Sequence, residues 1–206
     1  MKVVLESDYP VTDEACKVAT GKTISEWFAV IDGLGGTAIG RRQVIDHLYG
    51  ELKIDMWWIT TINYLYEVER GVVEKDGRGK GFNICVTKSI AAPIDKVYAA
   101  WADPAQLSKW FGEDTVAEVA DGGRYSNKDG DTGIFKRVRV NKDLRFTWEN
   151  PAHQPSMVDV VFSDKGNGKT GLLVNLDRVQ GREEADGLRR AWGEAVARLK
   201  VLVEAK

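Results

Sequence analysis

Binding of phosphates, dinucleotides or metals demands particular residues at fixed spacings, and several fragments of this 206-residue sequence carry the right letters. Gly21-Lys22-Thr23 and Gly168-Lys169-Thr170 both end like a phosphate-binding loop. Such a loop needs a further glycine ahead of the Gly-Lys pair so that backbone amides can wrap the phosphates. The equivalent positions hold Cys16 and Ser163, so the first fragment reads as a helix entry and the second as a hairpin turn. Gly33-x-Gly35-x-x-Ala38 matches a dinucleotide fingerprint in letters, but it follows a helical pattern where that geometry requires a strand.

The two histidines, His47 and His153, lie in segments of different grammar, and neither has a Cys or His at metal-ligand spacing. No metal site and no cofactor are expected. A serine or cysteine nucleophile would need one of these histidines as its base. His153 stands in Asn150-Pro151-Ala152-His153-Gln154-Pro155, which reads as a proline-bounded rim loop with a solvated imidazole; a His overhanging a cavity mouth is the alternative. No catalytic residue is assigned.

Any site must be held by elements, and the elements change character along the chain. Up to Arg70 the pattern is helical: Thr23-Ile24-Ser25-Glu26 opens like a capping box ahead of Trp27, Phe28, Val30 and Ile31. Arg41 to Leu52 spaces Val44, Ile45 and Leu48 for one face, and Asp55 can cap a helix bearing Trp58, Ile62, Leu65 and Tyr66. Glycines and charges crowd residues 71–81, so the expected division is a small all-α domain over 1–74, a Gly-rich linker over 75–81 and a second domain over 82–206.

In that second domain the period falls to two. Phe82, Ile84 and Val86 alternate with polar residues, as do Leu144, Phe146 and Trp148; Val158, Val160 and Phe162 return as Leu172, Val174 and Leu176 after a turn. Pro93 and Asp103-Pro104 each open a short helix. A long final helix from about Glu183 puts Leu188, Trp192, Ala195, Leu199 and Leu202 on one stripe. The order is strand, two helices, about six strands, long helix, an α+β arrangement.

That order carries a resemblance. Ile90-Ala91-Ala92-Pro93-Ile94-Asp95-Lys96-Val97-Tyr98-Ala99-Ala100-Trp101, then Asp103 to Gly112, Asp121-Gly122-Gly123-Arg124-Tyr125, Asp143 to Trp148 and Trp192 together resemble the START-like (SRPBCC) superfamily that includes polyketide cyclases. The branch is that of homologues of the activator of the ninety-kilodalton heat-shock ATPase. Residues 82–206 are covered. Ala19 to Thr23, Trp27-Phe28 and Tyr66 to Gly71 resemble a small bacterial helical domain of unknown function.

The resemblance implies a helix-grip fold, a curved antiparallel sheet around the long C-terminal helix, with a small hydrophobic or amphipathic ligand held between them. Ring-bearing candidates for the cavity wall are Trp110, Phe111, Tyr125, Phe146, Trp148 and Trp192; Val160, Val174 and Leu188 are the aliphatic ones. Aromatic side chains on an inner sheet face serve equally as packed core. Arg124 and Glu149 could supply a polar end, although alternation sets Glu149 opposite Trp148. The expected function is non-enzymatic binding. The alternatives are a cyclase- or hydrolase-type enzyme using the same cavity, and a co-chaperone or other protein-interaction module.

Composition limits partners. Hydrophobic residues form 43% and charged residues 29%, with a net charge of −2, as in ordinary globular chains. Residues 1–78 carry 9 basic and 13 acidic side chains and the rest 20 and 18, so neither part has the basic excess that nucleic acid requires. The helix from Asp55 to Arg70 holds Asp55, Glu67 and Glu69 against Arg70 alone, which phosphates would repel. Its Trp57, Trp58, Tyr64 and Tyr66 suggest burial against the second domain or another subunit, hence a homodimer through the N-terminal helices. No run reaches the about 18 apolar residues of a membrane span, Met1 to Asp8 turns acidic too early for a secretory signal, and Cys16 and Cys85 stand far apart. A cytoplasmic protein with reduced thiols is expected.

Overall fold

Four helices of this protein begin where a side chain caps them, at Thr12, Thr23, Asp55 and Asp103. The computed structural model describes residues 1–205, and they group into two units, each treated by itself.

The first unit spans Ser7–Phe82 with Gln180–Arg182. Thr12 caps α1 (Asp13–Thr20), which ends on Gly21 at a φ of 85°, and Thr23 and Glu26 close a reciprocal capping box on α2 (Ile24–Gly33). Gly21-Lys22-Thr23 is thus a helix end followed by a helix start. After a 3₁₀ turn, α3 (Gly40–Ile45) runs into a π-helical stretch over Asp46–Glu51. Asp55 caps α4 (Met56–Glu69). Apolar faces of these helices meet in a core containing Trp27, Ile31, Leu48, Trp58, Ile59, Ile62 and Tyr66. Trp58 and Tyr66 are therefore buried inside their own unit, while Trp57 and Tyr64 are half-buried, with Tyr64 against Phe82 at 4.6 Å. The rings on which a helical homodimer was expected already have intramolecular partners. Helix α1 has no counterpart in the expectations above, although Thr12-Asp13-Glu14 and Gly21 carry its start and stop signals.

The second unit combines Met1–Glu6, Asn83–Val179 and the chain from Glu183 onward. Strand β1 (Phe82–Ile90) leads to α5 (Ile94–Ala102) and α6 (Pro104–Trp110). Then come β2 (Val116–Ala117), β3 (Arg124–Ser126), β4 (Thr132–Arg139), β5 (Asp143–Asn150), β6 (His153–Asp164) and β7 (Thr170–Val179). Helix α7 (Arg182–Glu204) ends the fold. The sheet has seven strands in the order β1-β7-β6-β5-β4-β3-β2: a meander from β2 to β7, with β1 added at the edge of β7. Register pairs Leu144 with Val160, Phe146 with Val158, and Val160 with Val174, so the alternating apolar residues share one face.

That face is closed by α7, whose Leu188, Trp192, Ala195 and Leu199 are fully buried. Hydrogen bonds fix its position: Arg198 Nε donates to the Trp110 carbonyl at 3.1 Å, the Ala91 amide donates to Glu204 at 2.6 Å, and Lys200 donates to the Ser89 carbonyl at 2.9 Å. Where strands come closest only glycine fits, since a Cβ on Gly133 would lie 1.8 Å from the Thr147 carbonyl oxygen and 2.5 Å from the Tyr125 ring. Among the described residues no helix is long and apolar enough to cross a membrane. Cys16 and Cys85 are unbridged.

Candidate functional site

The interior between sheet and α7 is built of rings. Phe146 and Trp148 point inward from β5 by alternation, and α7 presents Trp192. Asp103 caps α6, with Pro104 in its first turn; this sets the α5–α6 corner and brings Trp101 to 4.5 Å from Trp110. The Trp110 indole donates to the Ala100 carbonyl at 2.9 Å, which fixes its ring. Phe111 follows as the C-cap of α6 and lies 5.7 Å from Tyr125 and 5.8 Å from Trp192. Tyr125 meets Phe146 edge-on at 5.7 Å, and Trp148 meets Trp192 edge-on at 5.4 Å.

All six expected aromatic residues thus belong to one connected cluster, and every one is buried. Val160, Val174 and Leu188 are fully buried too. Trp101 lies nearly parallel to Trp192 at 6.2 Å and also touches Phe146 and Phe162, while Phe135 contacts Tyr125 and Phe146. Neither Trp101 nor Phe135 was among the expected wall residues. The helical spacing of Val97, Tyr98 and Trp101 was the available signal for the first.

Arg124 and Glu149 do not face this interior. Both are exposed, and they line a hollow of about 340 Å³ with Val116, Thr132 and Ile134. Expecting them at a polar end of the cavity fails for the reason alternation supplies, since Tyr125 and Trp148 take the inward positions. A second hollow, of about 360 Å³, is lined by residues that include Met1, Trp110, Phe111, Asp129, Glu194 and Arg198.

The polar groups within the cluster divide into satisfied and unsatisfied. Asp131 is fully buried; its Oδ1 accepts from the Trp148 indole and from Asn150, both at 2.8 Å, and its Oδ2 accepts from Asn127 at 2.9 Å. The Met1 amino nitrogen also donates to Asp131 and lies 2.9 Å from Asp129. A buried carboxylate so surrounded is compensated. Burial pushes the Tyr125 phenol well up, with the Asp131 and Glu149 charges adding to the effect, so it stays neutral and donates to the Thr147 carbonyl at 3.0 Å.

By contrast, the indole nitrogens of Trp101 and Trp192 and Nε2 of His153 are buried with no hydrogen-bond partner among the described residues. His153 overturns the solvated-loop expectation. It opens β6, is 8% exposed and packs on Trp148 at 4.1 Å between ring centres. The turn before it is only Pro151-Ala152, because Asn150 pairs with His153. Its Nδ1 faces the Gln154 carbonyl oxygen at 2.7 Å; a carbonyl only accepts, so Nδ1 carries the hydrogen, and whenever the ring is neutral the lone pair lies on Nε2. The next residue is anchored to α7, the Gln154 amide donating to Glu184 at 2.7 Å. Among the described residues no group of three or more His, Cys, Asp or Glu could hold a metal.

A curved antiparallel sheet gripping one long helix around a ring-lined interior defines the helix-grip architecture of the START-like superfamily, a fold of ligand-binding domains. Within it, the chain belongs to the family described as Activator of Hsp90 ATPase homolog 1-like protein, which matches residues 91–204. CalU16 from Micromonospora echinospora superposes with a TM-score of 0.53 at 21% identity, over 59% of this chain and 76% of its own. MLL2253 from Mesorhizobium loti gives 0.53 at 20% identity, over 60% and 97%. DynU16, from the dynemicin biosynthetic locus, gives 0.51 at 28% identity over 60% of this chain but only 47% of its own. No curated protein matches the chain.

Proposed function

We propose that the sheet unit binds a small hydrophobic or amphipathic molecule among the rings between the sheet and α7, without transforming it. One observation carries this reading: the indole nitrogens of Trp101 and Trp192 and Nε2 of His153 are buried without partners in a cluster whose other indoles and Tyr125 hydroxyl are hydrogen-bonded. Each such group costs about 1–3 kcal/mol when left unmade, a loss that a chain selected for packing alone would avoid by using Phe or Leu. A guest with a carbonyl or hydroxyl oxygen on an apolar skeleton would satisfy the Trp101 and Trp192 donors, and a hydroxyl hydrogen would suit His153 Nε2. Trp110, Phe111, Tyr125, Phe146, Trp148, Val160, Val174 and Leu188 would supply the apolar wall by moving apart around it. The contacts of Trp148 and Phe146 with Trp192, at 5.4 and 6.4 Å between centres, are edge and tilted contacts that can reseat without losing all of their area.

The test is native mass spectrometry of protein isolated from its own host, followed by thermal unfolding with the retained molecule or a panel of apolar compounds. A ligand at about 100 times its Kd adds about 2.7 kcal/mol, which should raise Tm by about 5–10 °C for a chain of this size. No retained molecule and no Tm shift across the panel would end the proposal.

His153 favours a second reading. A lone-pair nitrogen held inward by its own Nδ1 bond is what a general base needs, and a cyclase- or hydrolase-type reaction would use it. His153→Ala would then abolish turnover of a compound that still binds; equal turnover would leave binding alone.

A further inference from the structure

Residues 1–6 lie against the sheet unit as a strap across α7. The strap is seated on Gly187, where a Cβ would meet the Val4 carbonyl oxygen at 2.4 Å and Leu5 Cα at 3.1 Å. Glycine is a poor residue for a helix interior, and here its lack of a side chain makes room for another backbone. Three residues on, Arg190 Nη2 donates to the Glu6 carbonyl at 2.5 Å and reaches the Val4 carbonyl at 3.5 Å. The strap ends on buried Met1, whose amino nitrogen meets Asp131, the carboxylate that also holds the Trp148 indole. Met1 is in addition a wall of the hollow floored by Trp110 and Phe111. Met1 thus borders that hollow and, through Asp131, is linked to the Trp148 indole. Its middle is loosely covered, Val4 being 67% exposed, so carbonyl contacts and the buried end hold it rather than apolar burial along its length.

We propose that Met1–Glu6 is a movable cover, seated on Gly187 and clamped by Arg190, which lifts to open the way from the hollow at Trp110 and Phe111 to the ring cluster. The proposal deepens the binding reading and rests on it for its purpose, but its mechanical content can be measured without a ligand.

Two substitutions in the same helix test it. Gly187→Ala places a methyl group against Val4, whereas Gly193→Ala meets nothing within 4 Å; both exchange glycine for the better helix former. NMR on the full chain would follow hydrogen exchange of the Trp148 indole, and stopped-flow fluorescence would follow association of anilinonaphthalene sulfonate. Gly187→Ala should speed both by about tenfold or more, as for a local opening made easier, and Gly193→Ala should change neither. Arg190→Ala, which keeps the seat and removes the clamp, should act in the same direction as Gly187→Ala. Equal exchange in wild type, Gly187→Ala and Arg190→Ala would overturn the cover, even if the probe binds. Faster exchange in those variants with no probe bound by any protein would keep the cover and remove the binding reading.

Discussion

Trp148 and Trp192 are both fully buried, are in contact, and differ in one respect: the Trp148 indole has an acceptor and the Trp192 indole has none. Replacing each with Phe separates packing from hydrogen bonding. Shrinking indole to phenyl costs about 1 kcal/mol in lost burial and residual void at either site. At Trp148 the substitution also removes a 2.8 Å bond to the buried Asp131 carboxylate, a charge-assisted bond worth about 1.5–3 kcal/mol, for a total of about 2.5–4 kcal/mol. At Trp192 it instead removes an unmet donor whose burial costs about 1–3 kcal/mol, so the gain offsets the void and the net change should run from about zero to about 2 kcal/mol of added stability. Equilibrium urea unfolding of the two variants, followed by near-ultraviolet circular dichroism, should place the Trp148→Phe midpoint about 1 M or more below that of Trp192→Phe. Midpoints lowered equally would mean that the Trp192 N–H has a partner in the free protein, and the argument that the cluster keeps donors for a guest would fall.

Further expectations follow from single contacts. Gly133→Ala forces a methyl group into the Thr147 carbonyl and the Tyr125 ring; the strands must part, at a cost of at least about 3 kcal/mol, and the variant should be found largely unfolded by circular dichroism. Arg139 foremost, with Arg137, holds the Asp143 carboxyl below its ordinary range. The unfolded chain therefore takes up the proton first, and the stability Asp143 contributes is complete above its unfolded pKa of about 3.9 and lost as pH falls through the lower folded value. Asp143→Asn should accordingly flatten the acid limb of a urea-midpoint-against-pH curve, and an unaltered limb would count against this pair. Thr23→Ala removes the side-chain half of the α2 capping box and should cost about 1 kcal/mol, read as faster amide exchange in the first turn of α2.

Legibility from sequence followed periodicity. Strands β5, β6 and β7 could be read because each buries one face, so Leu144, Phe146 and Trp148 and their partners alternate, and a long amphipathic α7 leaves its stripe in plain view. Capping chemistry is equally local, which is why α2, α4 and α6 began where Thr23, Asp55 and Asp103 stand. What escaped had no period. Trp101 sits on a nine-residue helix whose facing is set by how α5 packs, and Arg124 depended on which side of the three-residue β3 was inward. His153 read as a loop residue because prolines flank it, whereas the Pro151-Ala152 turn is tight enough to return it at once to the sheet. The strap has no amphipathic pattern, and only the helical glycine beneath it hints that another backbone must pass.

These unexpected features are physically joined. Gly187 lies five residues before Trp192 on α7; Trp192 touches Trp101 and Trp148, Trp148 touches His153, and Trp148 shares Asp131 with Met1 at the end of the strap. Along this path the chain departs three times from what stability alone favours, with a glycine inside a helix, indole donors buried without acceptors, and an imidazole buried with one nitrogen unmet. Scattered departures of this kind would be ordinary imperfections. The unmet indoles and the unmet imidazole belong to one chain of touching rings, and the proposed binding role would account for that grouping. The same contacts also explain why the strap and the ring cluster should respond together, since moving Met1 from Asp131 frees the carboxylate that orients Trp148, and Trp148 is the ring against which both Trp192 and His153 rest.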